Sequence, residues 1–139
     1  MTVIVDTGPL VALLNRRDSY HGWAAEQFGR LRPPLFSCEA VLAEAYHLLG
    51  PIAGGCSGLG ALIESDRLDL SFAFDRHAGR ALRLIAKYAD VPMSFVDACL
   101  VSLAETVARP VVFTIDADFT VYRMLRNRPL RLILPDSRR

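Results

Sequence analysis

The sequence is short of what several chemistries require. Its 139 residues contain one lysine and three histidines, and its three cysteines, Cys38, Cys56 and Cys99, are odd in number with no Cys-x-x-Cys pair. Neither a disulfide framework nor a cysteine-based zinc site is expected, and a reducing cytoplasm is the natural compartment. His21, His47 and His77 have no spacing that pairs metal ligands. There is no Gly-x-Ser-x-Gly elbow, Walker loop or dinucleotide fingerprint, and the glycine cluster at residues 54–60 does not follow a strand. A formal charge of +1 argues neither for nor against a polyanionic partner. One uncharged stretch, residues 45–63, reaches membrane-spanning length, but Pro51 and five glycines break it, so it reads as two helices about a loose turn and no membrane contact is expected. Met1 leads into a strand without the basic start or cleavage pattern of a signal peptide.

What is present is apolar. Hydrophobic residues make up 52% and charged residues 22%, enough for one well-cored domain over residues 1–139, with a surplus compatible with a partner interface. Fifteen of the sixteen basic residues are arginine, and Arg123, Arg126, Arg128, Arg131, Arg138 and Arg139 crowd the last seventeen positions. Arginine forks suit phosphate, although a solvated helix face and a terminal tail explain the same pattern.

Residues 2–5 are an unbroken β-branched run, the pattern of a buried parallel strand, and it stops at Asp6. Pro9 then suits the first turn of a helix carrying Leu10, Leu13 and Leu14. Helical spacing recurs at 20–31, 39–49, 59–64, 76–88 (with Asp75 as N-cap), 94–107 and 118–125. Further strands are expected at 35–37, 68–72, 111–115 and 131–134. Strands separated by helices predict a parallel sheet between helical layers, in which ligands bind beyond the carboxyl ends of the strands.

The acids that a structural role explains least are the candidates for chemistry. Asp6 ends the first strand; it is a natural N-cap, but Thr7 is available for that task and would leave Asp6 free. Glu44 shares a helical face with Val41 and Leu48, where a carboxylate needs a metal, a basic partner or an edge position. Asp97 follows Ser94 by three residues in a capping-box pattern, yet lies on one face with Leu100, Val101 and Ala104. Asp116 ends the second interior strand, next to Thr114, while Asp118 is placed to cap the helix expected at Phe119.

The surroundings of these acids resemble the PIN domain, especially the VapC-type ribonuclease toxins of bacterial toxin-antitoxin pairs. The matching pieces are Val5-Asp6-Thr7-Gly8-Pro9-Leu10, Val41-Leu42-Ala43-Glu44, Pro92-Met93-Ser94-Phe95-Val96-Asp97-Ala98 and Thr114-Ile115-Asp116-Ala117-Asp118-Phe119, in that order and spanning nearly the whole chain. The resemblance implies an α/β PIN-like three-layer sandwich with a central parallel sheet of about five strands. It also implies a metal-dependent endoribonuclease in which Asp6, Glu44, Asp97 and Asp116 bind Mg²⁺ or Mn²⁺. Asp118 would be an outer contributor, and Thr7 and Thr114 would be supporting groups. Hard divalent cations favour such all-oxygen sites. The implied partners are RNA, a small antitoxin protein and a second copy of the chain. A stand-alone PIN nuclease of RNA processing fits the same residues, as does a PIN relic that only binds RNA or protein, although intact acids count against the relic. A Mg-binding receiver-like signalling domain ranks below them, because Asp6 has no acidic neighbour and Lys87 lies in a helix.

Overall fold

The computed structural model describes residues 1–136, so Arg138 and Arg139 lie outside the described residues. Seven strands and six helices follow in the order β1 (Thr2–Val5), α1 (Thr7–Leu14), α2 (His21–Arg30), β2 (Leu35–Phe36), α3 (Glu39–Leu49), α4 (Gly55–Glu64), β3 (Leu68–Asp69), α5 (Ala78–Lys87), α6 (Phe95–Ala104), β4 (Pro110–Phe113), β5 (Arg123–Met124), β6 (Arg128–Pro129) and β7 (Arg131–Ile133). Five strands form one parallel sheet in the order β3-β2-β1-β4-β7. This is the expected α/β sandwich with a five-stranded parallel sheet.

The β-branched runs occupy the middle of the sheet. Ile4, Val5, Val112 and Phe113 are fully buried, as strands covered on both faces must be. On one face Trp23 and Phe28 of α2 close on the Phe113 ring, with centroids 5.3 and 5.0 Å away. Helix α6 packs against both β1 and β4. Eight of its ten residues are buried, which follows from a sequence apolar on every side except at Asp97 and Ser102. Among the described residues no helix is long and apolar enough to cross a membrane.

Several local expectations change. The first helix begins at Thr7 rather than Pro9. Helix α4 begins at Gly55 rather than Leu59: Gly58 lies against Leu14 of α1, where a Cβ would come within 2.8 Å of Leu14 Cδ2, so at this position glycine serves the close approach of the two helices. The strand expected at 68–72 ends at Asp69, whose carboxylate accepts hydrogen bonds from the Ser71 amide and hydroxyl and turns the chain. Asp75 sits inside a 3-10 turn and does not cap α5, which starts at Ala78. Leu48, placed by spacing on the face it shares with Val41, is exposed.

The largest departure lies at residues 118–125. Instead of a helix, a 3-10 turn (Ala117–Thr120) leads into β5, which pairs antiparallel with β6. At the turn of this hairpin Arg126 and Asn127 take left-handed backbone angles, φ 63° and 58°. Its anchor is Glu105, whose carboxylate grips the Arg80 guanidinium at 2.9 and 2.8 Å and also accepts from the Leu125 amide at 2.7 Å. That long-range attachment overrides the local helical spacing.

Candidate active site

Strands β1 and β4 are neighbours in register, Val5 opposite Phe113, so Asp6 and Thr114 leave the sheet side by side. From β1 the sheet continues through β2 on one side and β4 on the other, and this reversal opens a crevice at the carboxyl edge.

Asp6 is buried and doubly held. Its Oδ1 accepts from the Thr7 amide at 2.7 Å, and its Oδ2 accepts from the Thr114 hydroxyl at 2.7 Å. Asp6, not Thr7, is therefore the N-cap of α1, and the cap leaves the carboxylate lining the crevice. Capping and a functional role are compatible here because the two oxygens serve different partners. The Thr114 hydroxyl also accepts from the Asp116 amide at 3.0 Å, so one side chain joins the ends of β1 and β4. Nearby, buried Ser37 donates to the Val5 carbonyl at 2.9 Å and ties the end of β2 to the same place.

Asp97 enters from α6. The Ser94 hydroxyl accepts from the Asp97 amide at 3.0 Å, so the expected cap is real, but the carboxylate is not consumed by it. Its Oδ2 accepts from the Tyr122 hydroxyl at 2.7 Å, within the buried interior. The phenol of Tyr122 is pushed above its ordinary range by burial and by this carboxylate, so it stays protonated and acts as a donor.

Glu44 is exposed, contrary to the inward position its spacing suggested: it stands at the rim of the crevice, one of the alternatives open to an unpaired carboxylate on that helix. Asp116 is half-buried and caps the 3-10 turn by accepting from the Asp118 amide at 2.9 Å, the role expected of Asp118. Asp118 is exposed and also borders the crevice.

All five acids line one cleft of about 360 Å³, together with Thr7, Gly8, Ser94 and Ile115. No histidine lines it. The ion pairs among the described residues, Arg30 with Glu26 and Arg80 with Glu105, involve none of these acids. Burial is the main reason the Asp6 carboxyl is pushed up to about 6, with Asp97 and Glu44 adding repulsion. Burial likewise raises Asp97, with Asp116 adding to it. Negative charge is thus concentrated without a basic counterweight.

Mg²⁺ or Mn²⁺ fits this donor set in kind. The side chains are hard oxygen donors, their repulsion would be relieved by a cation, and the buried Thr7 hydroxyl lacks a hydrogen-bond partner beside them. The carboxylates stand around the cleft rather than gathered on one point: among the described residues no three His, Cys, Asp or Glu side chains form a ready-made ion site. Gly8 is required for the cleft's shape, since a Cβ there would lie 2.5 Å from Ile115 Cγ1.

Sequence reasoning missed Tyr122 and Ser37. Tyr122 falls in the stretch assigned to a helix and gives no local sign of reaching α6, 25 residues earlier. Among the described arginines of the last seventeen positions, Arg123 donates to the carbonyls of Thr120, Val121 and Tyr122, while Arg126, Arg128 and Arg131 are exposed.

Comparison with known proteins bears on this arrangement. The crystal structure of VapC20 from Mycobacterium tuberculosis, a sarcin-ricin loop cleaving toxin, is similar with a TM-score of 0.77 and 23% sequence identity, covering 92% of this chain and 100% of that one. No curated protein matches the chain. The family model of the PIN domain matches residues 3–124. Because that match runs from within β1 to the end of the hairpin's first strand and takes in every acid that lines the cleft, the chain belongs to the PIN-domain family.

Proposed function

We propose that the protein is a metal-dependent endoribonuclease that hydrolyses RNA phosphodiester bonds and serves as the toxin of a toxin-antitoxin pair. One observation carries this reading: in a PIN-family chain, acids from four separate segments line a single cleft at the carboxyl edge of the sheet, with no basic partner. Asp6, Glu44, Asp97 and Asp116 would hold Mg²⁺ or Mn²⁺, with Asp118 at the outer side. The bound cation would supply Lewis acidity toward a phosphate oxygen and toward the attacking water.

The chain's own residues supply position. Asp6 is immobilised from two directions, by the Thr7 amide and the Thr114 hydroxyl, and cannot swing away when substrate arrives. Thr114 keeps Asp6 and Asp116 at a set separation through its two hydrogen bonds. Exposed Glu44 and Asp118 are free to close around a ligand, whereas Asp6 and Asp97 are fixed below them. An excess of carboxylate repels RNA phosphate in the absence of cation, so binding of metal and of substrate should be coupled.

Likeness to the VapC20 fold makes sarcin-ricin loop RNA the first substrate to try. A small antitoxin, a second copy of the chain and a cytoplasmic setting belong to the same reading. The test is RNA cleavage by the purified protein with Mg²⁺ or Mn²⁺, with EDTA, and with Asp6→Asn. Cleavage that needs the cation and is lost in the variant is expected; EDTA-resistant cleavage, or full activity in the variant, would overturn the mechanism.

A further inference from the structure

Every acid of the cleft except Asp97 is held, where it is held at all, by groups on its own chain segment or on a neighbouring strand end. Asp97 instead receives a hydroxyl from Tyr122, which belongs to the segment joining the Ala117–Thr120 turn to β5. Tyr122 is fully buried and cannot reach substrate. Its ring is fixed by edge-on contacts with Tyr88 and Phe119, each with centroids 5.2 Å away. The next residue is fixed as well, because the Arg123 amide donates to the Tyr88 hydroxyl at 2.9 Å. The donor is therefore rigid, and its acceptor is a carboxylate of the cleft rather than one of the backbone carbonyls that usually satisfy a buried phenol.

We propose that Tyr122 is a positioning residue of the metal site: its 2.7 Å hydrogen bond to Asp97 Oδ2 sets the orientation in which that carboxylate meets the cation. The inference rests on the metallonuclease reading above and adds a residue to it. Its physical basis is that groups which orient a ligand carboxylate contribute to metal affinity without touching the metal. The same bond ties α6, which carries Asp97, to the segment that follows Asp116, so two acids from distant parts of the chain keep a common frame.

The test is Mn²⁺ binding to the RNA-free protein by calorimetry, alongside steady-state RNA cleavage. Tyr122→Phe keeps the ring and removes the hydroxyl; Mn²⁺ affinity should fall about tenfold and kcat should fall with it, while KM for RNA stays near wild type. Thr106→Val removes a hydroxyl that donates to the Leu103 carbonyl at 2.7 Å beyond the other end of α6, touching no acid of the cleft, and should keep wild-type Mn²⁺ affinity even if its melting temperature drops. Tyr122→Met serves as a second hydroxyl-free variant and should show the same loss as Tyr122→Phe. In an Asp97→Asn background, removing the Tyr122 hydroxyl should change Mn²⁺ affinity little further. Wild-type Mn²⁺ affinity in Tyr122→Phe, or an equal loss in Thr106→Val, overturns this inference alone. Failure of the wild-type protein to bind Mn²⁺ overturns the metallonuclease reading and this one together.

Discussion

Replacing Asp6 with Asn should make the metal-free protein more stable at neutral pH, although the substitution removes a carboxylate from the middle of the site. The Asp6 carboxyl is pushed from its ordinary 3.8 up to about 6, chiefly by burial. The folded state therefore binds the proton more tightly than the unfolded chain does. The resulting stability is fully present below about pH 3.8 and is lost as pH rises through 6. Above that point, keeping the ion in the fold costs about 3 kcal/mol. Asparagine removes this cost and retains an oxygen for the Thr7 amide. Its amide nitrogen, however, faces a Thr114 hydroxyl that now donates to Asp6, and reversing that bond costs about 1 kcal/mol. The net expectation in EDTA at pH 7.5 is a gain of about 2 kcal/mol, or roughly 6–8 °C in melting temperature for a chain of this size. At pH 4 the native carboxyl is already protonated and the gain should vanish.

The assay is chemical denaturation of both proteins in EDTA from pH 4 to 8, reading the difference between them so that other titrations cancel. Saturating Mn²⁺ at pH 7.5 should reverse the order, since a cation present at 100 times its Kd contributes about 2.7 kcal/mol to the protein that binds it. A stability difference independent of pH, or a variant less stable than wild type at pH 7.5 in EDTA, would refute the electrostatic account of Asp6.

Three further substitutions probe the frame around it. Thr114→Val removes the hydroxyl shared by Asp6 and the Asp116 amide; urea unfolding should show a loss of about 1.5–3 kcal/mol, and calorimetry a weaker Mn²⁺ affinity. Gly8→Ala drives a methyl group toward Ile115 at the cleft wall and should cost about 1–3 kcal/mol with reduced kcat, the result to be checked by denaturation and single-turnover cleavage. Glu105→Gln leaves the partly buried Arg80 without its carboxylate and weakens the hold on Leu125 of the hairpin; about 3 kcal/mol should be lost, while the activity of the remaining folded protein per molecule is retained.

Much of this protein is legible without coordinates, and the reasons differ by element. The runs at 2–5 and 111–113 can only be buried strands, because their β-branched residues need cover on both faces, and each delivers an acid or threonine to the same end of a parallel sheet. Family resemblance drawn from four short motifs named the acids that turn out to line one cleft. Spacing alone misjudged Glu44: the helical period puts it beside Val41, but Val41 is buried while Glu44 is exposed at the rim of the cleft. It also misjudged residues 118–125, where the local pattern suits a helix and Glu105 and Tyr88, from elsewhere in the chain, hold a hairpin instead.

By itself, then, the order of residues determined the layered α/β architecture, the acids available and the class of chemistry they suit, since these depend on local periodicity and side-chain type. Only the tertiary structure decided which strands are neighbours, and therefore that Thr114 bridges Asp6 and Asp116. It alone decided that Asp6 is buried deeply enough to hold its proton near pH 6, and that Tyr122 braces Asp97. Those properties come from contacts between residues as far as 108 positions apart, and no local pattern encodes the distance between two side chains that meet only when the sheet has formed.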